Sequence, residues 1–80
     1  MTTLQILTKY MERQQYESET GQGTYKELKK GEYEGLKFCL RNQNVDILRD
    51  KIESINDITI DQVVKIGYLI GLETGLKYLS

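Results

Sequence analysis

The chain has no histidine, no proline and no tryptophan, and only one cysteine, Cys39. Each shortage excludes something. Without histidine, the commonest general base is missing. With one cysteine and no histidine, the usual zinc frameworks cannot form. A lone cysteine also rules out a disulfide within the chain and suits a reducing, cytoplasmic setting. Without proline, no helix is interrupted by a ring that lacks an N–H. Long apolar runs are also missing: the best stretch, Ile60 to Leu79, is broken by Asp61, Lys65, Glu73 and Lys77, so a membrane span is not expected. Met1 to Gln15 lacks the basic and apolar regions of a signal peptide.

Charge of one sign is scarce as well. The chain has 11 basic and 12 acidic residues, a formal net charge of -1. That balance argues against a general binder of nucleic acid or membrane surface. It leaves room for a local basic face.

Eighty residues make one domain, 1–80, that buries only roughly 60–65% of its unfolded surface. Small domains often gain support from disulfides, metals or oligomerisation. With the first two excluded, a homo-oligomer, a dimer first, is the expectation left by elimination.

The pattern predicts an all-α fold, a compact bundle of three to four helices. Thr2 or Thr3 caps a first helix running to about Glu17, with Leu4, Leu7, Tyr10 and Met11 at helical spacing. Ser18 to Gly23 reads as a loop. Thr24-Tyr25-Lys26-Glu27 has the form of a capping box and opens a second helix to about Arg41, its core face Tyr25, Leu28, Leu36 and Cys39. Gly31 and Gly35 lie inside it, and a break near Gly31 is an open alternative. Asn44 caps a third helix with Val45, Leu48, Ile52 and Ile55 on one face. Thr59-Ile60-Asp61-Gln62 is a second capping-box pattern, opening a last helix to Leu79. Gly31 to Phe38 lines up with Gly71 to Tyr78, half the chain away, as two related helical hairpins would; chance similarity in a lysine-rich helical sequence is the simpler reading.

The last helix is apolar nearly all round. At about 100° per residue, Ile60, Val63, Val64, Gly67, Gly71, Gly75 and Tyr78 share one broad side, and Leu69, Leu72 and Leu76 fall nearly opposite. Such a helix must be covered on several sides. Glycines every four residues leave a groove that another backbone can enter. Two readings stand: a close crossing with the second helix through Gly31 and Gly35, or a contact with another subunit. On the second, Val64, Gly67, Tyr68, Gly71, Leu72, Gly75 and Leu76 are the oligomer or partner contact.

Chemistry is sparse. Cys39 lies on a core side and reads as a small buried hydrophobe. The carboxylates are scattered, with no acid–base pair singled out, so the chain is read as no enzyme, with no cofactor and no metal. One constellation stands out. In a continuous second helix, Lys26, Lys30, Lys37 and Arg41 fall within about 60° of one another, with Tyr33 beside them. The loop Thr20 to Thr24 precedes them and feeds a helix N-terminus, where free N–H groups can hold an anion. Thr24, Lys26, Lys30, Tyr33, Lys37 and Arg41 are therefore the candidate anion-binding residues, for a nucleotide, a nucleic-acid backbone or an acidic partner. The six tyrosines suit an interface, with Tyr16, Tyr33 and Tyr68 the best surface candidates.

In its short length, its richness in lysine, isoleucine and tyrosine, and its Gly-x-x-x-Gly-Leu-Lys segments (Gly31 to Lys37 and Gly71 to Lys77), the chain resembles small, uncharacterised bacteriophage-encoded proteins of low-GC Gram-positive bacteria. That resemblance implies a protein that binds and inhibits a host protein or sequesters a host signal. The leading expectation is a self-associating helical interaction protein that modulates a protein partner. The alternatives are an anion- or nucleotide-sequestering protein and a nucleic-acid-binding regulator.

Overall fold

The structure, a computed structural model, describes residues 1–80. Four α-helices and no strand make up the chain: α1 (Thr3–Thr20), α2 (Gly23–Asn42), α3 (Val45–Ser54) and α4 (Gln62–Leu79), with a single 3₁₀ turn at Ile55–Asp57. The fold is the expected all-α bundle. No helix is long and apolar enough to cross a membrane.

Local chemistry explains each helix start. Thr2 caps α1 in a reciprocal box: the Gln5 N–H donates to Thr2 Oγ1 (3.2 Å), and the Thr2 N–H donates to Gln5 Oε1 (2.9 Å). Asn44 caps α3 by accepting from the N–H groups of Asp46 and Ile47. The other two starts differ from the sequence expectation. Thr24 does not cap α2. The helix already begins at Gly23, whose φ of 62° only glycine adopts without strain, and its first turn has no side-chain cap. The Thr59 box does not form either. Asp61 caps α4 instead, accepting from Val63 and Val64 N–H. An aspartate carries full charge to the positive end of the helix, so it outcompetes a threonine two residues earlier. α1 runs on past Glu17 to Thr20, which shrinks the expected loop to Gly21 and Gln22.

α2 is unbroken through Gly31 and Gly35, and the reason lies in α4. α1 and α2 form an antiparallel hairpin across their two-residue turn. α2 and α4 run parallel, with α3 and the 3₁₀ turn as the crossover. Along the parallel seam the backbones touch. A Cβ on Gly31 would collide with Val64 O and lie 2.7 Å from Tyr68 N; a Cβ on Gly67 would collide with Leu28 O and lie 3.0 Å from Glu32 N. Gly35 and Gly71 repeat the arrangement one turn on, each 3.1 Å from the other's Cα by the same construction. The contacts are reciprocal, as across a local two-fold axis between the helices. Gly31 opposes Gly67 and Gly35 opposes Gly71. This is one turn away from the Gly31–Gly71 and Gly35–Gly75 match seen in the sequence.

α3 covers another side of α4. Leu48, Ile55, Cys39 and Leu72 form one buried cluster, with Phe38, Ile52, Ile58, Tyr68, Leu69, Leu76 and Leu79 packed around it; Leu7 and Leu36 are buried as well. The Cα extents are 32 × 32 × 15 Å. Helix axes 8–10 Å apart, plus Cα radii of about 2.3 Å, make the short dimension two helix layers deep.

Candidate functional site

The residues singled out on α4 do not form a free surface. Gly67, Gly71, Leu72 and Gly75 are buried, and Val64, Tyr68 and Leu76 are half-buried. The glycines lie against α2, and Leu72 and Leu76 belong to the core shared with α3. Tyr68 sits under the Lys51 ammonium, 5.8 Å from its ring centre, while Phe38 takes the same ammonium at 5.1 Å. Burial raises the Tyr68 phenol pKa, with Glu34 and Cys39 adding to the shift. This set was expected as an oligomer or partner contact. It is instead the seam that holds α2, α3 and α4 together, because backbone contact between glycines is closest where no side chain intervenes. The accessible surface of 5093 Å² is close to the roughly 5000 Å² expected of a folded monomer of this mass. The third side of α4 does stay open: Ile66 and Ile70, one turn apart, are 46% and 39% exposed.

The basic stripe is placed as expected, on the outer face of α2. Lys26, Lys30 and Arg41 are exposed, and Tyr33 and Lys37 are half-buried. The Lys37 ammonium lies 5.5 Å from the Tyr33 ring centre. None of the four cations has a carboxylate partner, because the ion pairs of the chain involve only Arg13, Lys29, Glu17 and Glu32. Thr24 is also exposed, but at about 100° per residue it falls on the opposite side of α2 from Lys26. The expected union of a glycine loop with the stripe therefore does not occur.

A second polar feature lies between α1 and α2. A cleft of about 220 Å³ is lined by Tyr10, Arg13, Gln14, Glu17, Tyr25 and Lys29. Arg13 Nε and Glu17 are 3.5 Å apart, as are Glu17 and Lys29 Nζ; Lys29 Nζ and Glu32 are 3.3 Å apart. Lys29 thus joins a carboxylate from each helix. Its ammonium also lies 5.3 Å from the Tyr25 ring centre. Partial burial pushes the Glu17 carboxyl pKa up, but the Tyr25 hydroxyl, Lys29 and Arg13 outweigh that and hold it below the ordinary value. For Lys29, burial lowers the pKa, and pairing with Glu32 and Glu17 overcomes it, leaving a net rise.

Two members of this region are deeply buried. Gln14 is 3% exposed and Glu32 5%. Glu32 Oε2 is close enough to Lys29 for attraction, but the angle makes no hydrogen bond, so that oxygen has no hydrogen-bond partner. Sequence reasoning missed the cluster, because its members come from two helices and look like surface charges in each. One signal was present: Gln14 continues the Leu7–Met11 spacing of the inward face of α1. A larger depression of about 340 Å³ runs past Met1, Leu4, Gln5, Thr8, Lys9 and Glu12. All six lie along α1 or directly before it, so it is the bare side of one helix.

Cys39 is fully buried, and its thiol points at the carbonyls of Gly71 and Leu72 (3.8 and 3.7 Å). Burial raises its pKa to about 11, which leaves it unsuited to nucleophilic work. Comparison with protein-family models, curated proteins and solved structures finds no match.

Proposed function

We propose that this chain is a non-catalytic, cytoplasmic interaction protein that recognises an acidic surface of a partner protein through the outer face of α2, and so modulates or inhibits that partner. The observation that carries the reading is the set Lys26, Lys30, Lys37 and Arg41. Four cations share one helix face without a carboxylate partner, in a chain whose net charge is -1. Unpaired cations beside a tyrosine suit charge-complementary docking. The overall negative charge opposes long-range attraction of DNA, which favours a protein surface matched over a short range. The resemblance to phage-encoded proteins makes a host factor or defence protein the partner class. The reading does not use the glycine seam, which is filled from within the chain.

The test is fluorescence anisotropy with three probes: a labelled polyglutamate peptide, a DNA duplex and a labelled nucleotide. The expected result is salt-dependent binding of the peptide, weakened by Lys30→Glu with Lys37→Glu by up to roughly thirtyfold, since each exposed ion pair contributes up to about 1 kcal/mol. Preference for DNA or nucleotide would transfer the ridge to the anion-binding or nucleic-acid alternatives. Indifference of all three probes to the substitutions would end the reading.

A further inference from the structure

We infer that the acidic surface taken by the α2 ridge is one face of a single amphipathic α-helix, about four turns long; the inference rests on the acidic-partner reading above. The ridge is a narrow line of charge. With Lys26 set at 0° and about 100° per residue, Lys37, Lys30 and Arg41 fall at about 20°, 40° and 60°. Glu34 and Glu27 follow at about 80° and 100°, and Tyr33 and Leu40 lie on the other flank, at about −20° and −40°. All four flanking residues are half-buried, while Lys26, Lys30 and Arg41 stand exposed. The glutamates repel an acidic surface on their side, and Tyr33 and Leu40 offer it an apolar edge. A broad acidic surface would lie across the glutamates as well. A helix face is narrow enough to follow the cations alone.

The spacing along the ridge separates a helix from an extended chain. Successive cations are four, seven and four residues apart, which at about 1.5 Å per residue is roughly 6, 10.5 and 6 Å. A second helix meets this pattern with carboxylates at i, i+4, i+11 and i+15, all within about 60° on one face. An extended strand rises about 3.3 Å per residue, so it needs steps of about two, three and two residues. The odd step turns the last two carboxylates to the opposite face from the first two. The partner helix must also lie nearly aligned with α2. Over the ridge's length of about 22 Å, a crossing angle of about 20° displaces the axes by only about 4 Å at either end. At about 50° the displacement is about 13 Å, beyond the reach of a lysine side chain. The spacing reads the same from both ends of the ridge, so the charges accept the partner in either direction.

The test is fluorescence anisotropy on the full chain with two labelled peptides of about 18 residues, each stapled to hold it helical, and with the flexible polyglutamate peptide alongside. One helix carries glutamates at i, i+4, i+11 and i+15 beside a row of leucines. The other has the same composition, with the four glutamates spread around the helix. The first should bind about tenfold more tightly, because spreading takes at least two carboxylates off the ridge and each exposed pair contributes a few-fold. Lys30→Glu with Lys37→Glu, both outside the core, should erase that difference. Equal affinity of the two helices, or no binding by either, would overturn the helix assignment, and polyglutamate binding in the same buffer would leave the acidic-surface reading standing. Failure of all three probes to bind would overturn both.

Discussion

The Cys39 thiol fills the space that a side chain at residue 75 would occupy. A Cβ built on Gly75 would overlap Cys39 Sγ and lie 2.6 Å from Cys39 Cβ, and it would meet no other side chain or neighbouring backbone. Gly75→Ala should therefore cost about 1–3 kcal/mol by overpacking. Because one residue is responsible, the loss should be relieved from the other side. In a urea double-mutant cycle, Cys39→Gly with Gly75→Ala should be less destabilised than the two singles summed, by about 1 kcal/mol or more. Additive losses would show that the clash lies elsewhere.

The other glycines have backbone for neighbours, and backbone cannot be trimmed. In an open helix, alanine would stabilise by about 1 kcal/mol relative to glycine. At Gly31, Gly35, Gly67 and Gly71 the sign should reverse, with each alanine costing about 1–3 kcal/mol as the helices are pushed apart. Chemical denaturation of the four variants measures this. A gain in stability at Gly35 or Gly71 would contradict the close seam.

The ion cluster predicts a pH dependence at both ends. Glu17 titrates below its ordinary value of 4.5 in the folded chain. Its contribution is present above that value and lost as pH falls through the folded one. Lys29 titrates above its ordinary value of 10.5. Its contribution holds below that value and is lost as pH rises through the folded one. Denaturation midpoints in a pH series should fall at both extremes. Glu17→Gln should flatten the acid limb most, and it should also soften the alkaline limb by removing one of the two carboxylates that hold Lys29 charged.

Thiol labelling follows from burial. With the Cys39 pKa at about 11, only about one thiol in a thousand is ionised at pH 8, and even that fraction is inaccessible. Native protein should react with a maleimide or aromatic disulfide only at the rate of unfolding, whereas urea-denatured protein should react at once. Fast labelling of the native chain would show that α2 and α4 separate readily.

Much of this was legible along the chain. Thr2 and Asn44 are caps because a short polar side chain directly precedes an apolar period. The glycine ladder on α4 and the pair on α2 were also visible, as was the basic stripe. What could not be read was the choice of partner. Gly67, Gly71 and Gly75 have the same spacing whether they meet a second copy or α2, and only the crossover through α3 decides between them. The Gln14–Glu17–Lys29–Glu32 group was invisible for a related reason: its charges come together across the hairpin, with no spacing rule to connect them. The misplaced starts of α2 and α4 have separate causes. A glycine with positive φ took over one start, and a stronger capping residue took over the other.

The parallel seam also has a consequence for assembly during synthesis. Gly31 and Gly35 emerge early, and the glycines that cover them belong to the final helix. A nascent chain holding only α1 and α2 has a hairpin with a bare backbone strip along one side, and it lacks Leu48, Ile55 and Leu72, half of the buried apolar residues. Contacts so far apart in sequence slow folding. The α2–α4 seam can therefore close only once residues 62–79 have been made, and until then the glycine strip of α2 has no partner within the chain.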